Sequence, residues 1–346
     1  MNIFGWTKEA LAASLREHQI PRFRADQIVR WMYQRGAVSL HAMDNLPKEL
    51  RARLAEIFSI ERPAVISRLH SADGATIKLL YEFADGQTVE TVLMRHTYGN
   101  SVCVSTQAGC RMGCAFCAST LNGLQRNLTA GEIAAQVIGI ADFLRADGAH
   151  VDTIVVMGSG EPLENYDNVV AALRLLHEDY TIGLSYRGIT LSTSGIVPGI
   201  ERLAEEGIPI SLSISLHAPT EELRSEIMPV NRMYPLADVL RAACFYAERT
   251  KRRVTYEYIL IRDVNDGPRE AEQLAKLLRG QLASVNLIPI NPVAERSLFR
   301  PDKAAIRRFQ KILAQRHITA TLRREMGTDI QAACGQLRNR LMEAGL

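Results

Sequence analysis

Only six of the 346 residues are cysteine, and four of these, Cys103, Cys110, Cys114 and Cys117, fall in one short stretch. The disulfide framework of a secreted domain spreads its cysteines through a smaller chain. That class is therefore excluded, and metal or redox chemistry in a reducing compartment is indicated. An excess of charge of one sign is also missing. Lys and Arg exceed Asp and Glu by three, so bulk electrostatics neither require nor exclude a polyanionic partner. Short basic groups do occur, Arg22 with Arg24, Lys251-Arg252-Arg253 and Arg323-Arg324, and such groups can meet phosphates. No run of about eighteen apolar residues is present that could span a bilayer. Residues 1–9 lack the basic head and apolar stretch of a secretory signal. We therefore expect a cytoplasmic protein with no membrane partner. With 47% apolar residues, the chain can bury one large core, or one core plus a small appendage.

The first sixty or so residues, with Ala10-Leu11, Ile28-Val29 and 50–57 at helical spacing, suggest a small helical unit. Residues 76–83 and 87–94 read as two strands joined at Ala84-Asp85-Gly86, a hairpin signal, because Asp-Gly tolerates the backbone of a tight turn. From about residue 101 the pattern becomes regular. Strand-like runs at 102–106, 153–157, 188–192, 210–216, 254–261 and 284–290 alternate with helical periodicity at 130–144, 167–176, 197–206, 236–249, 268–278 and 300–315, and 318–323 is a further extended run. Six strand-then-helix units imply a parallel sheet covered by helices. A partial (βα)6 barrel fits this α/β pattern, with a doubly wound open sheet as the competing architecture. In either, ligands bind at the carboxyl ends of the strands. We expect an accessory unit at 1–95, a core at 96–327 and a tail at 328–346. Cys244, in the helical segment 239–246, is expected to fill the core.

Gly109-Cys110-Arg111-Met112-Gly113-Cys114-Ala115-Phe116-Cys117 follows the first core strand, so its CxxxCxxC loop belongs at that carboxyl edge. Three thiolates this close can hold three irons of a four-iron cluster and leave one iron open, which is what catalysis needs. The competing reading is a structural zinc site closed by Cys103 or His96.

CxxxCxxC with an aromatic residue, Phe116, before the last cysteine resembles the signature of radical S-adenosylmethionine enzymes. The likeness extends along the chain: CRMGCAFCASTLNGLQRNLT at 110–129, MGSGEP at 157–162, TLSTSG at 190–195, SLH at 215–217 and DIQAACG at 329–335 are together similar to the RlmN/Cfr family of RNA adenine methyltransferases. Ser159 departs from the methionine more usual there. The resemblance implies a [4Fe-4S] cluster on Cys110, Cys114 and Cys117. It further implies S-adenosylmethionine, two molecules per turnover, held by Gly160, Glu161, Ser192, Ser215, Leu216, His217 and Asn291. Their predicted places at or just past strand ends agree with this.

A ring carbon such as adenine C2 is electron-poor, so polar transfer of a methyl group to it is disfavoured and a radical route is required. In the family, a tail cysteine matched by Cys334 first takes a methyl group, which then loses hydrogen and bonds to the base. Glu90 matches the acceptor of the base proton, and its place among Val89, Val92 and Leu93 suggests a partly desolvated carboxylate. Cys103 matches the thiol that releases the RNA by forming a transient disulfide. Gly327 and Gly335 suggest hinges for a mobile tail.

The resemblance implies RNA as partner, an adenosine of 23S rRNA in the peptidyl-transferase region and the tRNA adenosine beside the anticodon, with an electron donor such as flavodoxin or ferredoxin. The N-terminal unit and hairpin are candidates for RNA recognition. Two alternatives stand beside C2 methylation: methylation of adenine C8, as in the Cfr branch, and a noncatalytic RNA-binding protein with a structural metal.

Overall fold

A computed structural model describes residues 1–337; of the expected tail, 338–346 lie outside the described residues. The N-terminal unit holds helices α1 (Lys8–Glu17), α2 (Arg24–Tyr33) and α3 (Lys48–Ile57). Thr7 caps α1, its hydroxyl accepting from the Ala10 amide. The apolar stripes of these helices meet at Leu11, Leu15, Ile28, Met32 and Leu54, all essentially without solvent contact. The unit sits on the rest of the molecule through a close glycine contact, since a Cβ on Gly5 would lie 2.3 Å from Gly131 Cα. The Lys8 amide also donates to Tyr180 Oη at 3.1 Å.

The strands are β1 (Ala64–His70), β2 (Thr76–Glu82), β3 (Thr88–His96), β4 (Gly99–Cys103), β5 (Gln107–Gly109), β6 (Leu124–Asn127), β7 (Thr153–Val156), β8 (Ile189–Thr193), β9 (Ser211–Ser215), β10 (Val254–Leu260), β11 (Ala283–Pro289) and β12 (Ala320–Leu322). The remaining helices are α4 (Ala130–Arg145), α5 (Tyr166–His177), α6 (Val197–Glu205), α7 (Glu221–Ile227), α8 (Leu236–Thr250), α9 (Pro268–Leu277) and α10 (Lys303–Gln315). One ten-stranded sheet runs in the order β1-β2-β3-β4-β7-β8-β9-β10-β11-β12. From β4 onward every pairing is parallel. This order never reverses, whereas a doubly wound sheet switches direction at its middle. The parallel strands therefore form a partial barrel with its helices outside. Along them, Ile154, Leu191, Leu212 and Ile214 are buried in the core, while the polar Ser192 and Ser215 front the interior.

The hairpin at 76–94 extends the barrel sheet: β3 pairs antiparallel with β4, so β1, β2 and β3 continue it. Two details differ from the expected pattern. The first barrel strand ends at Cys103, and β5 of the small β5–β6 ladder stands between it and the cysteine loop. Cys244 is half-buried on α8 rather than in the core.

Candidate active site at the carboxyl ends of the strands

The β5–β6 ladder brackets the cysteine loop. Gly109, at φ +76°, has no room for a side chain, because a Cβ there would lie 1.9 Å from Gly123 O. The same carbonyl accepts from the Cys110 amide at 3.0 Å, and Ala115 N donates to Ile227 O at 2.9 Å. The loop is thereby fixed at its start and at its middle. Cys110, Cys114 and Cys117 front a cavity of about 160 Å³ together with Gly160, Glu161, Ser192, Ser215 and His217. The structure thus gathers most of the expected ligand set.

The donor chemistry fits a cationic cluster. Burial pushes the Cys110 thiol up to about 12 and Cys114 well above its ordinary value. Thiols so desolvated ionise only against compensating positive charge, which irons supply. Among the described residues no three of His, Cys, Asp and Glu close in on a single metal ion; a four-iron cluster takes each thiolate on a different iron. Ser194 Oγ, on the same wall, is buried without a hydrogen-bond partner, as expected where a polar ligand completes the site.

Glu161 is buried, and its carboxylate accepts from Thr193 Oγ1 at 2.7 Å, Ser194 N at 2.7 Å and Leu163 N at 3.0 Å. It ties the β7 loop to the β8 loop, and burial raises its pKa. His217 adopts φ +59°. Its Nδ1 accepts from Ile259 N at 3.0 Å, and its ring meets Phe116 edge-on at 4.7 Å. Burial, aided by Arg224, holds it down to about 3, so the ring is neutral with its proton on Nε2. Leu216 does not front the cavity. Its side chain is core, its amide donates to Glu257 O, and its carbonyl accepts from Arg224 Nε.

A larger cavity, about 320 Å³, adjoins the first and contains Cys103, Asn291 and Cys334. Asn291, expected beside S-adenosylmethionine, lies here; its Nδ2 donates to Cys334 O at 3.0 Å, and its buried Oδ1 has no partner. Cys334 borders both cavities. All cysteines are free thiols, and burial, then proximity to Cys334, pushes Cys103 up to about 12. The tail is held in place: Ala118 N donates to Gly335 O, Ser119 Oγ to Leu337 O at 2.6 Å and Gln336 Nε2 to Pro292 O at 2.9 Å. Gly327 and Gly335, the expected hinge positions, both adopt positive φ, +66° and +81°.

Glu90 fronts neither cavity. It is buried on β3, as its pattern suggested, but ion-paired with Lys78 Nζ at 2.8 Å, which also donates to Gln331 O. Sequence reasoning missed Lys78, whose place in an alternating strand gave no hint of an inward cation. It also did not reach Glu257, which is buried with a raised pKa, or Arg323 as a link between the cavities. Arg323 borders both and lies 3.8 Å from Glu257 Oε2; its membership of a basic pair was the available signal.

A sequentially wound partial barrel with three thiols on the loop after its first strand defines a radical S-adenosylmethionine enzyme, and residues 104–278 match the Radical SAM superfamily. Residues 1–60 match the ribosomal RNA large subunit methyltransferase N-terminal domain. The chain is 56% identical over 337 residues to a probable dual-specificity RNA methyltransferase RlmN of Symbiobacterium thermophilum, covering 97% of this chain and 91% of that one. It is 50% identical to the protein of that name in Geobacillus thermodenitrificans, covering 97% and 92%. A radical SAM methyltransferase from Sphaerobacter thermophilus superposes with a TM-score of 0.95 at 47% identity, covering 98% and 99%. The chain belongs to the RlmN family of RNA methyltransferases. It is an S-adenosylmethionine-dependent RNA methyltransferase, and superfamily membership implies a [4Fe-4S] cluster. No helix among the described residues is long and apolar enough to cross a membrane.

Proposed function

We propose that this enzyme methylates C2 of an adenosine in 23S rRNA and of the tRNA adenosine beside the anticodon, using Cys334 as methyl carrier. The observation that carries this reading is the position of Cys334, whose residue fronts the cavity of Cys110, Cys114 and Cys117 on one side and that of Cys103 on the other. A carrier needs access to a methyl donor and to RNA, and this position offers both.

In this reading Cys110, Cys114 and Cys117 hold the cluster, and Gly160, Glu161, Ser192, Ser215 and His217 shape the adjacent site for S-adenosylmethionine, two molecules per turnover. Leu216 serves there as a core spacer, and Asn291 positions the carrier through its carbonyl. When bound, the cluster supplies the electron that cleaves S-adenosylmethionine to methionine and a 5′-deoxyadenosyl radical. Cys334, as thiolate, takes a methyl group from one S-adenosylmethionine, releasing S-adenosylhomocysteine. That methyl then gives a hydrogen atom to the radical from the second molecule, forming 5′-deoxyadenosine, and its carbon bonds to C2, with one electron given up to the oxidised cluster. Glu90 is assigned as acceptor of the C2 proton by its family match alone, since it fronts neither cavity and its carboxylate is paired with Lys78. The Cys103 thiolate then attacks the Cys334 sulfur. The sulfur–carbon bond breaks, its electron pair passes to the carbon on the base, which takes up a proton, and a disulfide remains for cellular thiols to reduce.

Functionally, we assign RNA recognition to 1–95, whose strand β3 joins the barrel sheet and carries Glu90, catalysis to 96–327 and the methyl carrier to the tail from 328 onward, with a flavodoxin or ferredoxin as electron donor. Support for C2 over C8 comes from the N-terminal match and the relatives' names. The test is anaerobic reconstitution with iron and sulfide, reaction with rRNA and tRNA, and mass spectrometry of the digested product. We expect 2-methyladenosine, and neither product nor methylated cysteine with Cys334→Ala. Exclusive 8-methyladenosine, or turnover by that variant, would overturn the assignment.

A further inference from the structure

The strand β3 turns into β4 through only two residues, Thr97 and Tyr98, the last register pair being His96 with Gly99. At this tip the rings of His96 and Tyr98 lie nearly parallel, 4.6 Å between centroids and 8° between planes. Tyr98 is 70% exposed, so the stack does not serve the core. We propose that the His96–Tyr98 stack is a docking platform for the nucleotide next to the one being modified, over which single-stranded RNA enters the larger cavity. This rests on the reading that the larger cavity receives the target base.

Several observations converge on an RNA ligand. Both rings line the cavity that holds Cys103 and Cys334; the exposed Arg324 lines it with them, and Arg323 lies deeper, 3.8 Å from Glu257. A stacking face beside arginines suits single-stranded RNA, whose bases stack on aromatic rings while its phosphates meet the cations. The rim carboxylate of Glu325 is paired with Arg300, which lessens its repulsion of a phosphate. His96 is held below its ordinary pKa by burial and by Arg324 and Arg323, so it offers a neutral flat surface and leaves the positive charge to the arginines.

The platform is also fixed in advance. Gly99 fits where any side chain would strike Asp152, a Cβ there lying 2.4 Å from Asp152 Oδ2. The Asn100 amide donates to the same oxygen at 2.7 Å. A tip clamped this way loses little conformational freedom when a base lands on it. Because every base has a π-face, the platform orders the neighbouring nucleotide whatever its identity. That suits an enzyme with more than one RNA context.

The test uses the reconstituted full chain and a hairpin RNA with an anticodon-type loop, carrying 2-aminopurine on one or the other side of the target adenosine. Stacking on the platform should quench the probe on one of these sides. Tyr98→Ala and Tyr98→Leu should abolish the quench and weaken binding about 10- to 100-fold, following the worth of one base–aromatic stack, whereas Tyr98→Phe should retain both. Quenching by both nonaromatic variants, with affinity within twofold of the parent, would overturn the platform. Should the parent bind with a Tyr98-dependent quench yet methylate no adenosine, the platform stands and the proposed reaction falls.

Discussion

The Cys103 thiol, pushed up to about 12 by loss of solvent, is almost wholly protonated at neutral pH. A raised thiol pKa means that the reactive thiolate gains about tenfold for each pH unit below that value. Release of a preformed RNA adduct should therefore quicken about tenfold per unit between pH 7 and 9, measured by the loss of the cross-linked band after a pH jump. A pH-independent release would argue that Cys103 is not the attacking group. The buried Lys78–Glu90 pair makes a second prediction at this scale. Lys78→Met removes the cation at 2.8 Å from a carboxylate only 3% exposed, which costs about 3–5 kcal/mol. Urea unfolding should show it, with a smaller loss for Lys78→Arg.

Elements decide whether these residues stay in place. The cysteine loop depends on the tight ladder beneath it, so Gly109→Ala, which would put a Cβ 1.9 Å from a carbonyl at a positive φ, should lower iron bound per chain after reconstitution. Helix α4 opens with a complete capping box, Thr129 accepting from Glu132 N and Glu132 accepting from Thr129 N. Thr129→Ala should cost about 1 kcal/mol in a denaturant titration. The six βα units were legible because their apolar strands and periodic helices repeat regularly. The strand β1 was not: all seven of its residues are exposed, so no burial rhythm marked it. The β5–β6 ladder escaped notice because three and four residues carry too few positions for alternation to register, and half of β6 lies in solvent.

For the whole molecule, the decisive relations join distant parts of the chain. The N-terminal unit is seated by Gly131 against Gly5 and Phe4, where a Cβ on Gly131 would lie 2.7 Å from Phe4 O. Gly131→Val should push that seat apart, lower the thermal midpoint and open 1–60 to limited proteolysis before the barrel. The cysteine trio was legible from spacing alone, since its members lie within eight residues. The division of the ligand set between two cavities was not. It depends on the tail folding back, so that Asn291 reaches the Cys334 carbonyl and Lys78 reaches Gln331, contacts no local pattern encodes.

That Cys334 borders both chambers has a consequence for the timing of the reaction. In the proposed reaction this one sulfur atom engages one partner at a time, so donor and nucleotide take turns at it, and the sequence of events is imposed by occupancy. An RNA already seated against that atom would block its own donor from recharging it, which makes prompt departure of finished product a condition for the next cycle.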